Sequence, residues 1–366
     1  MKEMFFFMNT PLVSVIVTSF NHAKFIGSAL DSIYAQTWKN IEVIVVDDAS
    51  TDGSQKIIKK YQIKHGLKFI ERKDNYYTDK IKQGEKPIIQ AMNCASGKYI
   101  AVVDSDDLIL PEKIERQVGL LEANPDCTLC YGGIEVLTSD GKLAPYPNVF
   151  INGDAFSRLL VNGNCGLYIG SLIRRSSYVE LERSHPDLVQ EDWDMFLRLA
   201  KIGPFVCDPR TVAYYRRHDN NTWYRQDKNT LMYRNRMMIL ESWCDEPEWP
   251  DAMALRWKHY ANHEKLTHES INELLLERPN DSLLHYLLFC IFLENNEIAL
   301  MKKHLLLSIS YCDERLSVLP ILYGIASQVL NTPIELEILI QDMESRIKEF
   351  QTQPCYQSAL EKLKGY

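Results

Sequence analysis

The first third of the chain alternates apolar runs with amphipathic segments. Residues 12–18, 41–48 and 99–103 are runs rich in β-branched residues, with the length of buried strands. Residues 23–36 and 55–63 instead repeat apolar positions every three or four residues, which is typical of amphipathic helices. This alternation of strand and helix predicts an α/β fold with a doubly wound, mainly parallel sheet flanked by helices.

Beyond residue 107 the pattern is less regular. It predicts a helix at 111–124, short strands at 127–131 and 134–137, and a hairpin-type turn at 140–141. From Gly153 onward short helices and short strands mix. We expect this second half to close over a ligand that the first half binds.

The remainder of the chain has a helical pattern in which strand signals nearly vanish. The predicted helices are 231–243, 253–274, 282–293, 298–311, 316–330, 334–350 and 357–363. Short connections between them indicate a bundle or a stack of helix pairs. We therefore predict a first domain at 1–225, with halves at about 10–107 and 108–225, and an all-α domain at 226–366.

Composition narrows the class of protein. A net charge of -8 over 366 residues argues against binding to nucleic acid through bulk charge. The nine cysteines are scattered and mostly lie in apolar segments, which favours reduced thiols in a cytoplasmic protein over a disulfide framework. Since no stretch is long enough to span a bilayer, we expect a cytoplasmic enzyme that meets membrane-linked substrates only peripherally, at the inner face.

Carboxylates follow two of the predicted strands. Asp104, Asp106 and Asp107 lie within four residues at the end of one run, and Asp47 and Asp48 end another. In open α/β sheets, ligands bind outside the carboxyl ends of the strands. Clustered oxygen donors suit Mg2+ or Mn2+ that shares its coordination with a substrate phosphate. The alternative is that one aspartate caps the next helix and the others are solvated turn residues.

Two more polar clusters lie in the second half. Glu191 and Asp192 begin an amphipathic helix, where acids are also common because the first helical turn favours negative charge. A later strand ends in two arginines and His218, and arginine binds phosphate through parallel hydrogen bonds. Taken alone, each cluster has a structural alternative, a capped helix start or an exposed strand end.

The glycine-rich phosphate fingerprints are missing, which argues against a dinucleotide-binding dehydrogenase and a P-loop enzyme. Three stretches, residues 11–21, 36–54 and 95–107, together resemble the family 2 glycosyltransferases of the GT-A fold. Glu191-Asp192 and residues 215–218 are similar to later motifs of that family, so the resemblance extends over about residues 10–220.

The resemblance implies roles for particular residues. It assigns to the nucleotide-sugar Thr18, Asn21, Asp47, Asp48, Asp104 and Arg216. Asp106 matches the metal-binding acid of the D-x-D motif, and His218 lies where some members place a further metal or diphosphate contact. Asp192 matches the general base. Trp193, Trp223 and Tyr224 are candidates for stacking on a sugar or, equally, for packing in a core.

The implied activity is inverting, Mn2+- or Mg2+-dependent transfer of a sugar from a nucleotide-sugar, expected to be a UDP-sugar, to a glycan or glycolipid hydroxyl in polysaccharide biosynthesis. Residues 226–366 are expected to contact a membrane or a protein partner. Two alternatives stay open: a nucleotidyltransferase on a related fold, and a non-catalytic scaffold that binds partners through its helical region. The nucleotidyltransferase would need a glycine-rich loop after the first strand, and residues 18–22 do not provide one.

Overall fold

The computed structural model describes residues 10–76, 86–163, 167–179, 181, 188, 191–219, 221, 229–262, 266–313, 316 and 318–330. Contacts between Cα atoms divide the chain into two compact units. The N-terminal unit comprises Met1–Leu159, Gly163–Pro186 and Glu191–Tyr224, and the helical unit comprises Leu160–Asn162, Asp187–Gln190 and Arg225–Tyr366.

The N-terminal unit contains one mixed sheet. Its strands are β1 (Val13–Ser19), β2 (Ile41–Asp47), β3 (Lys68–Glu71), β4 (Tyr99–Asp104), β5 (Leu108–Ile109), β6 (Leu129–Leu137), β7 (Leu143–Pro145), β8 (Ser171–Arg174) and β9 (Phe205–Arg216). They lie in the order β3-β2-β1-β4-β8-β6-β9-β5, and β7 pairs with β6. Strands β1 to β4 are all parallel, whereas β8 runs antiparallel to both β4 and β6.

Helices cover both faces of the parallel strands. The helices of the chain up to residue 202 are α1 (Ile26–Tyr34), α2 (Ser54–His65), α3 (Pro87–Asn93), α4 (Lys113–Ala123), α5 (Phe156–Asn162), α6 (Leu167–Gly170), α7 (Arg175–Val179) and α8 (Glu191–Ile202). Val15 and Val17 belong to a core shared with Leu30 of α1, and Ile16 faces a second core with Met92 of α3. Because both faces are buried, the strands are continuous apolar runs, and the predicted α/β fold is confirmed.

The pairing register aligns the ends of the central strands. Thr18 lies opposite Val46 on one side and Asp104 on the other, and Ser19 lies opposite Asp47. Side chains that follow β1, β2 and β4 therefore meet at one edge of the sheet, as the sequence predicts.

Two details of the predicted elements are wrong. The strands expected at 127–131 and 134–137 are one strand, β6, whose pairing with β9 is irregular at Gly132 and Gly133. A Cβ atom at Gly132 would collide with the side chain of Val212, so the two strands can approach only because this residue is glycine. The long helix expected at 253–274 is two helices, the second of which begins after Thr267.

The described part of the helical unit confirms the predicted all-α region. Its helices are α9 (Asn229–Glu241), α10 (Trp249–Asn262), α11 (His268–Glu277), α12 (Ser282–Glu294), α13 (Ile298–Tyr311) and α14 (Leu319–Val329). The helices predicted at 334–350 and 357–363 lie outside the described residues. Asp281 caps α12 through the amide of Leu284 and accepts hydrogen bonds from the buried hydroxyl of Tyr233, at 2.9 Å from both carboxylate oxygens. Where the structure describes the chain, none of its helices is both long and apolar enough to cross a membrane.

Candidate active site

Asp47, at the end of β2, organises the turn that follows it. Its buried carboxylate accepts hydrogen bonds from the hydroxyl of Ser19 at 2.9 Å and from Nε2 of Gln55 at 3.0 Å. The amide and hydroxyl of Ser50 donate to it at 2.8 and 2.6 Å. Both oxygens are thus satisfied by protein groups.

Asp48 is engaged by the segment after β3. Nε of Arg72 donates to it at 2.9 Å, and the amide of Tyr76 lies 3.1 Å from both carboxylate oxygens. Burial raises the pKa of Asp48, while the Tyr76 amide and the Arg72 guanidinium act in the opposite direction. Its predicted contact with the nucleotide base stays a prediction, at a carboxylate that also anchors residues 72–76.

Asn21 ties the loop after β1 to the loop after β2. It adopts a left-handed backbone conformation with φ of 53°, which asparagine tolerates better than most residues. Its backbone N–H donates to the hydroxyl of Ser50, and its side-chain Oδ1 accepts from the backbone N–H of Thr51, both at 2.8 Å. Asn21 therefore shapes the rim of the predicted donor site from the side of β1.

Asp104, at the end of β4, is buried beside other acids. Its Oδ1 accepts a hydrogen bond from the hydroxyl of Thr18 at 2.8 Å. Burial raises the pKa of Asp104 to about 7, and the carboxylates of Asp106 and Asp192 add to the effect. Asp192, the predicted base, lies in the first turn of α8.

Asp106 is surrounded by nitrogen donors. Its Oδ2 lies 2.9 Å from Nε2 of His218 and accepts a hydrogen bond from Nδ2 of Asn221 at 3.2 Å. Its Oδ1 lies 3.8 Å from Nδ1 of His22. The structure therefore joins two predicted metal-site residues, Asp106 and His218, although they are 112 positions apart in the chain.

Asp107 is paired on one side only. Its Oδ1 accepts a hydrogen bond from the amide of Arg216 at 2.8 Å, whereas Oδ2 is buried and meets no hydrogen-bond donor among the described residues. Burial raises the pKa of Asp107 well above its usual value, and the charges of Asp106 and Asp104 add to this effect.

Arg216, predicted to bind the donor, is held against residues 104–107, here called the acidic loop. Its Nε donates to the carbonyl oxygen of Asp106 at 2.7 Å, and its guanidinium lies 5.2 Å from the ring centroid of Phe25. The same Phe25 ring stacks on His218 with centroids 4.5 Å apart. The end of β9 is thereby fixed to the loop that carries Asp106 and Asp107.

The sequence reasoning missed His22 and Asn221. Nδ1 of His22 lies 2.8 Å from the hydroxyl of Ser105, and the rings of His22 and His218 meet edge-on with centroids 5.7 Å apart. Burial lowers the pKa of His22, although Asp106 acts in the opposite direction, so the neutral imidazole is favoured. The position of His22 in the sequence could have indicated its role, because it follows β1 at the sheet edge where the acids lie.

The oxygen and nitrogen atoms at this edge are suitable ligands for a divalent cation. Two groups of described side chains place their ligand atoms within 4.8 Å of one another: His22, Asp106 and His218, and Asp104, Asp106 and Asp107. Carboxylate oxygen and imidazole nitrogen are ligands of Mn2+ and similar ions. The unpaired oxygen of Asp107 and the crowding of three acids indicate a place where positive charge would be stabilising.

Trp193, a candidate for sugar stacking, lies in the protein core. It is 4% exposed, and its Nε1 donates to the carbonyl oxygen of Leu159 at 2.9 Å. The alternative of core packing is therefore correct for this residue. The other two candidates, Trp223 and Tyr224, lie outside the described residues.

Residues 14–177 match the family model described as glycosyl transferase family 2, and the resemblance found in the sequence is confirmed. An uncharacterized protein of Mycobacterium tuberculosis is 31% identical over 219 residues, 58% of this chain and 60% of its own length. The chain thus spans less than two thirds of the length of this mycobacterial relative. EpsE of Bacillus subtilis, named as a glycosyltransferase, is 28% identical over 59% of this chain and 76% of its own. TarS 1-349 of S. aureus, solved in complex with UDP-GlcNAc, shares the fold with a TM-score of 0.56 and 19% identity over 87% of this chain and 88% of its own.

Proposed function

We propose that this protein, whose residues 14–177 match the model of glycosyl transferase family 2, transfers a sugar from a nucleotide-sugar to a hydroxyl group of a glycan or glycolipid, with inversion at the anomeric carbon. One observation carries the proposal: at one edge of the sheet, Asp106 brings its ligand atoms together with those of Asp104 on one side and of His218 on the other. This edge can hold a cation for the leaving diphosphate, and Asp192 is the proposed base for the acceptor.

The acidic loop would bind the donor through its diphosphate. Asp106 and His218 would hold Mn2+ or Mg2+, with Asp104 directed at the ribose or the donor sugar. The bound ion would act as a Lewis acid that neutralises the charge of the departing diphosphate. Without such an ion, the carboxylates of Asp104, Asp106 and Asp107 would repel the phosphates.

Asp192 would act as the general base. It lies in the first turn of α8, where amide groups and the helix dipole favour the ionised carboxylate. As the acceptor oxygen bonds to the anomeric carbon, its proton passes to Asp192, and the bond from that carbon to the diphosphate oxygen breaks. A single displacement of this kind inverts the anomeric centre.

The nucleoside would lie closer to the ends of β1 and β2 than the diphosphate does. Thr18, Asn21, Asp47 and Asp48 are the proposed contacts, and a UDP-sugar is the proposed donor. The UDP-GlcNAc complex of TarS, which shares this fold, supports a nucleotide-sugar in general. The same proposal locates the enzyme in the cytoplasm, peripheral to the inner face of the membrane, with residues 226–366 contacting the membrane or a protein partner.

The test separates donor binding from transfer. Asp192→Asn should lower the rate of transfer by about 10²- to 10⁴-fold, because it removes the base, and should leave donor binding intact. Binding is measured as the rise in melting temperature with a panel of sugar nucleotides, with and without Mn2+. Transfer is measured as release of the free nucleoside diphosphate with acceptor present.

Asp140→Asn is the matched control, since Asp140 is an exposed hairpin residue paired with Lys142. It should behave like the wild type in both assays. Full transfer activity in Asp192→Asn, or loss of donor binding in that variant, would contradict the assignment of the base. Absence of stabilisation by every sugar nucleotide would contradict the proposed function itself.

A further inference from the structure

We propose that His22 is a second imidazole ligand of the divalent cation, beside His218, and that this pair makes the site prefer Mn2+ to Mg2+. The inference rests on the proposed function, because it concerns the ion at that same site. It adds a residue from the loop after β1 to a site built by the loops after β4 and β9.

The geometry matches one ion between three side chains. Nδ1 of His22 lies 3.8 Å from Oδ1 of Asp106, and Nε2 of His218 lies 2.9 Å from Oδ2 of the same carboxylate. Ligand atoms at about 2.1 Å from a common ion can be at most about 4.2 Å apart, and both distances lie within that limit. The carboxylate of Asp106 thus stands between two imidazoles.

The backbone holds His22 in place before any ligand binds. Its amide donates to the hydroxyl of Ser54 at 3.0 Å, and its carbonyl oxygen accepts from the amides of Phe25 and Ile26, both at 2.9 Å. Its ring packs edge-on against Phe25, with centroids 6.0 Å apart. A ligand fixed in this way loses little conformational entropy when it binds a metal.

A second observation at the same loop also points to a site for a cation. Asp107 is 1% exposed, and its buried Oδ2 meets no hydrogen-bond donor in the part of the chain that the structure describes. Its ligand atoms belong to the group that also contains Asp106. A buried carboxylate oxygen without a donor is costly, and an adjacent cation would offset that cost.

The chemistry of the ligands decides the choice of ion. Mg2+ prefers oxygen ligands and retains several water molecules, so imidazole nitrogen adds little to its binding. Imidazole binds first-row transition ions more strongly, and two imidazoles with carboxylates therefore favour Mn2+ over Mg2+. A site with a single histidine would discriminate less.

The competing explanation is that His22 only positions Ser105. Its Nδ1 lies 2.8 Å from the Ser105 hydroxyl, which is a normal hydrogen-bond distance. The substitution His22→Asn separates the two roles, because the asparagine amide can keep a hydrogen bond to Ser105 but offers no imidazole nitrogen. His65→Asn is the matched control, since His65 is an exposed residue of α2 that stacks on Tyr34.

The experiment counts nitrogen ligands directly. Mn2+ is titrated into the full-length protein with UDP present, and pulsed electron paramagnetic resonance detects the ¹⁴N nuclei of coordinated imidazole. We expect two imidazoles in the wild type and in His65→Asn, and one in His22→Asn. The Kd for Mn2+ should rise at least about tenfold in His22→Asn, while the Kd for Mg2+ changes about twofold or less.

The outcomes distinguish the two proposals. One coordinated imidazole in the wild type overturns the role of His22, and this count needs no variant that might fold poorly. Unchanged Mn2+ affinity in His22→Asn overturns it as well, and the proposed function stands if sugar transfer continues. Failure of the wild type to bind Mn2+, together with full transfer in chelator, overturns both the role of His22 and the metal dependence.

Discussion

Two acidic clusters lie at the same edge of the sheet, and they differ in how many hydrogen-bond donors contact their carboxylates. At the end of β2, Asp47 and Asp48 receive serine, glutamine, arginine and backbone donors on both oxygens of each carboxylate. At the end of β4, Asp104, Asp106 and Asp107 share fewer donors, and Oδ2 of Asp107 has none in the described structure.

The contrast shows that one sequence pattern can lead to two different environments for its carboxylates. In both places a β-branched run ends in aspartates, as is expected for a strand that enters a loop. The first cluster is hydrogen-bonded by groups from its own neighbourhood, such as Ser50 and Gln55, so its carboxylates are already held in place in the loops where we propose that the nucleoside binds. Among the described residues, fewer donors reach the second cluster, and a ligand that brings positive charge would stabilise it.

The largest expected effect comes from breaking the second cluster. Asp106→Ala should lower the rate of transfer by about 10²- to 10⁴-fold, because it removes the carboxylate between the two histidines. It should also abolish the rise in melting temperature caused by Mn2+. Without added metal, its free energy of unfolding should fall by no more than about 1 kcal/mol, since repulsion with Asp104 and Asp107 is relieved.

Calorimetry and an assay for the released nucleoside diphosphate measure these quantities, with Asp140→Ala as the control on an exposed hairpin. If Asp106→Ala were fully active and still stabilised by Mn2+, the cluster at the end of β4 would not have the proposed role in metal binding.

The first cluster should respond in the opposite way. Asp47→Ala leaves the donors of Ser19, Ser50 and Gln55 without their acceptor, so the free energy of unfolding should fall by about 2–4 kcal/mol. Urea denaturation measures the change, and Asp140→Ala should shift it by less than about 0.5 kcal/mol. If Asp47→Ala were as stable as the wild type, the two clusters would not differ in the way described.

Glu42, a carboxylate outside both clusters, extends the comparison through pH. Burial alone would raise the pKa of Glu42, but hydrogen bonds from Ser14, Ser96 and Lys68 lower it to about 2. This stabilisation is complete above the unfolded pKa of about 4.5 and is lost as the pH falls towards 2.

Glu42→Gln should therefore cost about 1–2 kcal/mol at pH 7, reduced from the full shift because Glu42 is partly exposed, and less near pH 3. Urea denaturation of both proteins at the two pH values measures this, and an equal difference at both would contradict it.

The sequence predicted the strands best where both faces are buried, as in β1 and β4, because such strands are continuous apolar runs. The predicted boundaries were wrong in two places. Gly132 lets β6 continue through an irregular register, where the sequence suggested two strands. The helix that ends at residue 262 has no proline or glycine at its end, so nothing in the sequence indicated the break.

The site was predictable for residues that stand directly at strand ends, such as Asp104 and Asp106. His22 and Asn221 were missed because their approach to Asp106 depends on tertiary structure. For Asp47 the sequence indicated the position but not the donors around it, because Ser19 and Gln55 reach the carboxylate only through tertiary structure.

The bonds between the acidic loop and the end of β9 also bear on synthesis of the protein. Arg216, His218 and Asn221 lie 109, 112 and 115 positions after the aspartates that they contact. On the ribosome, β1 to β4 can pair before those residues have been made, which at typical elongation rates is an interval of roughly 6–22 s. During that interval the nascent chain carries Asp104, Asp106 and Asp107 without the later residues that contact them, so the site is completed only when β9 has joined the sheet.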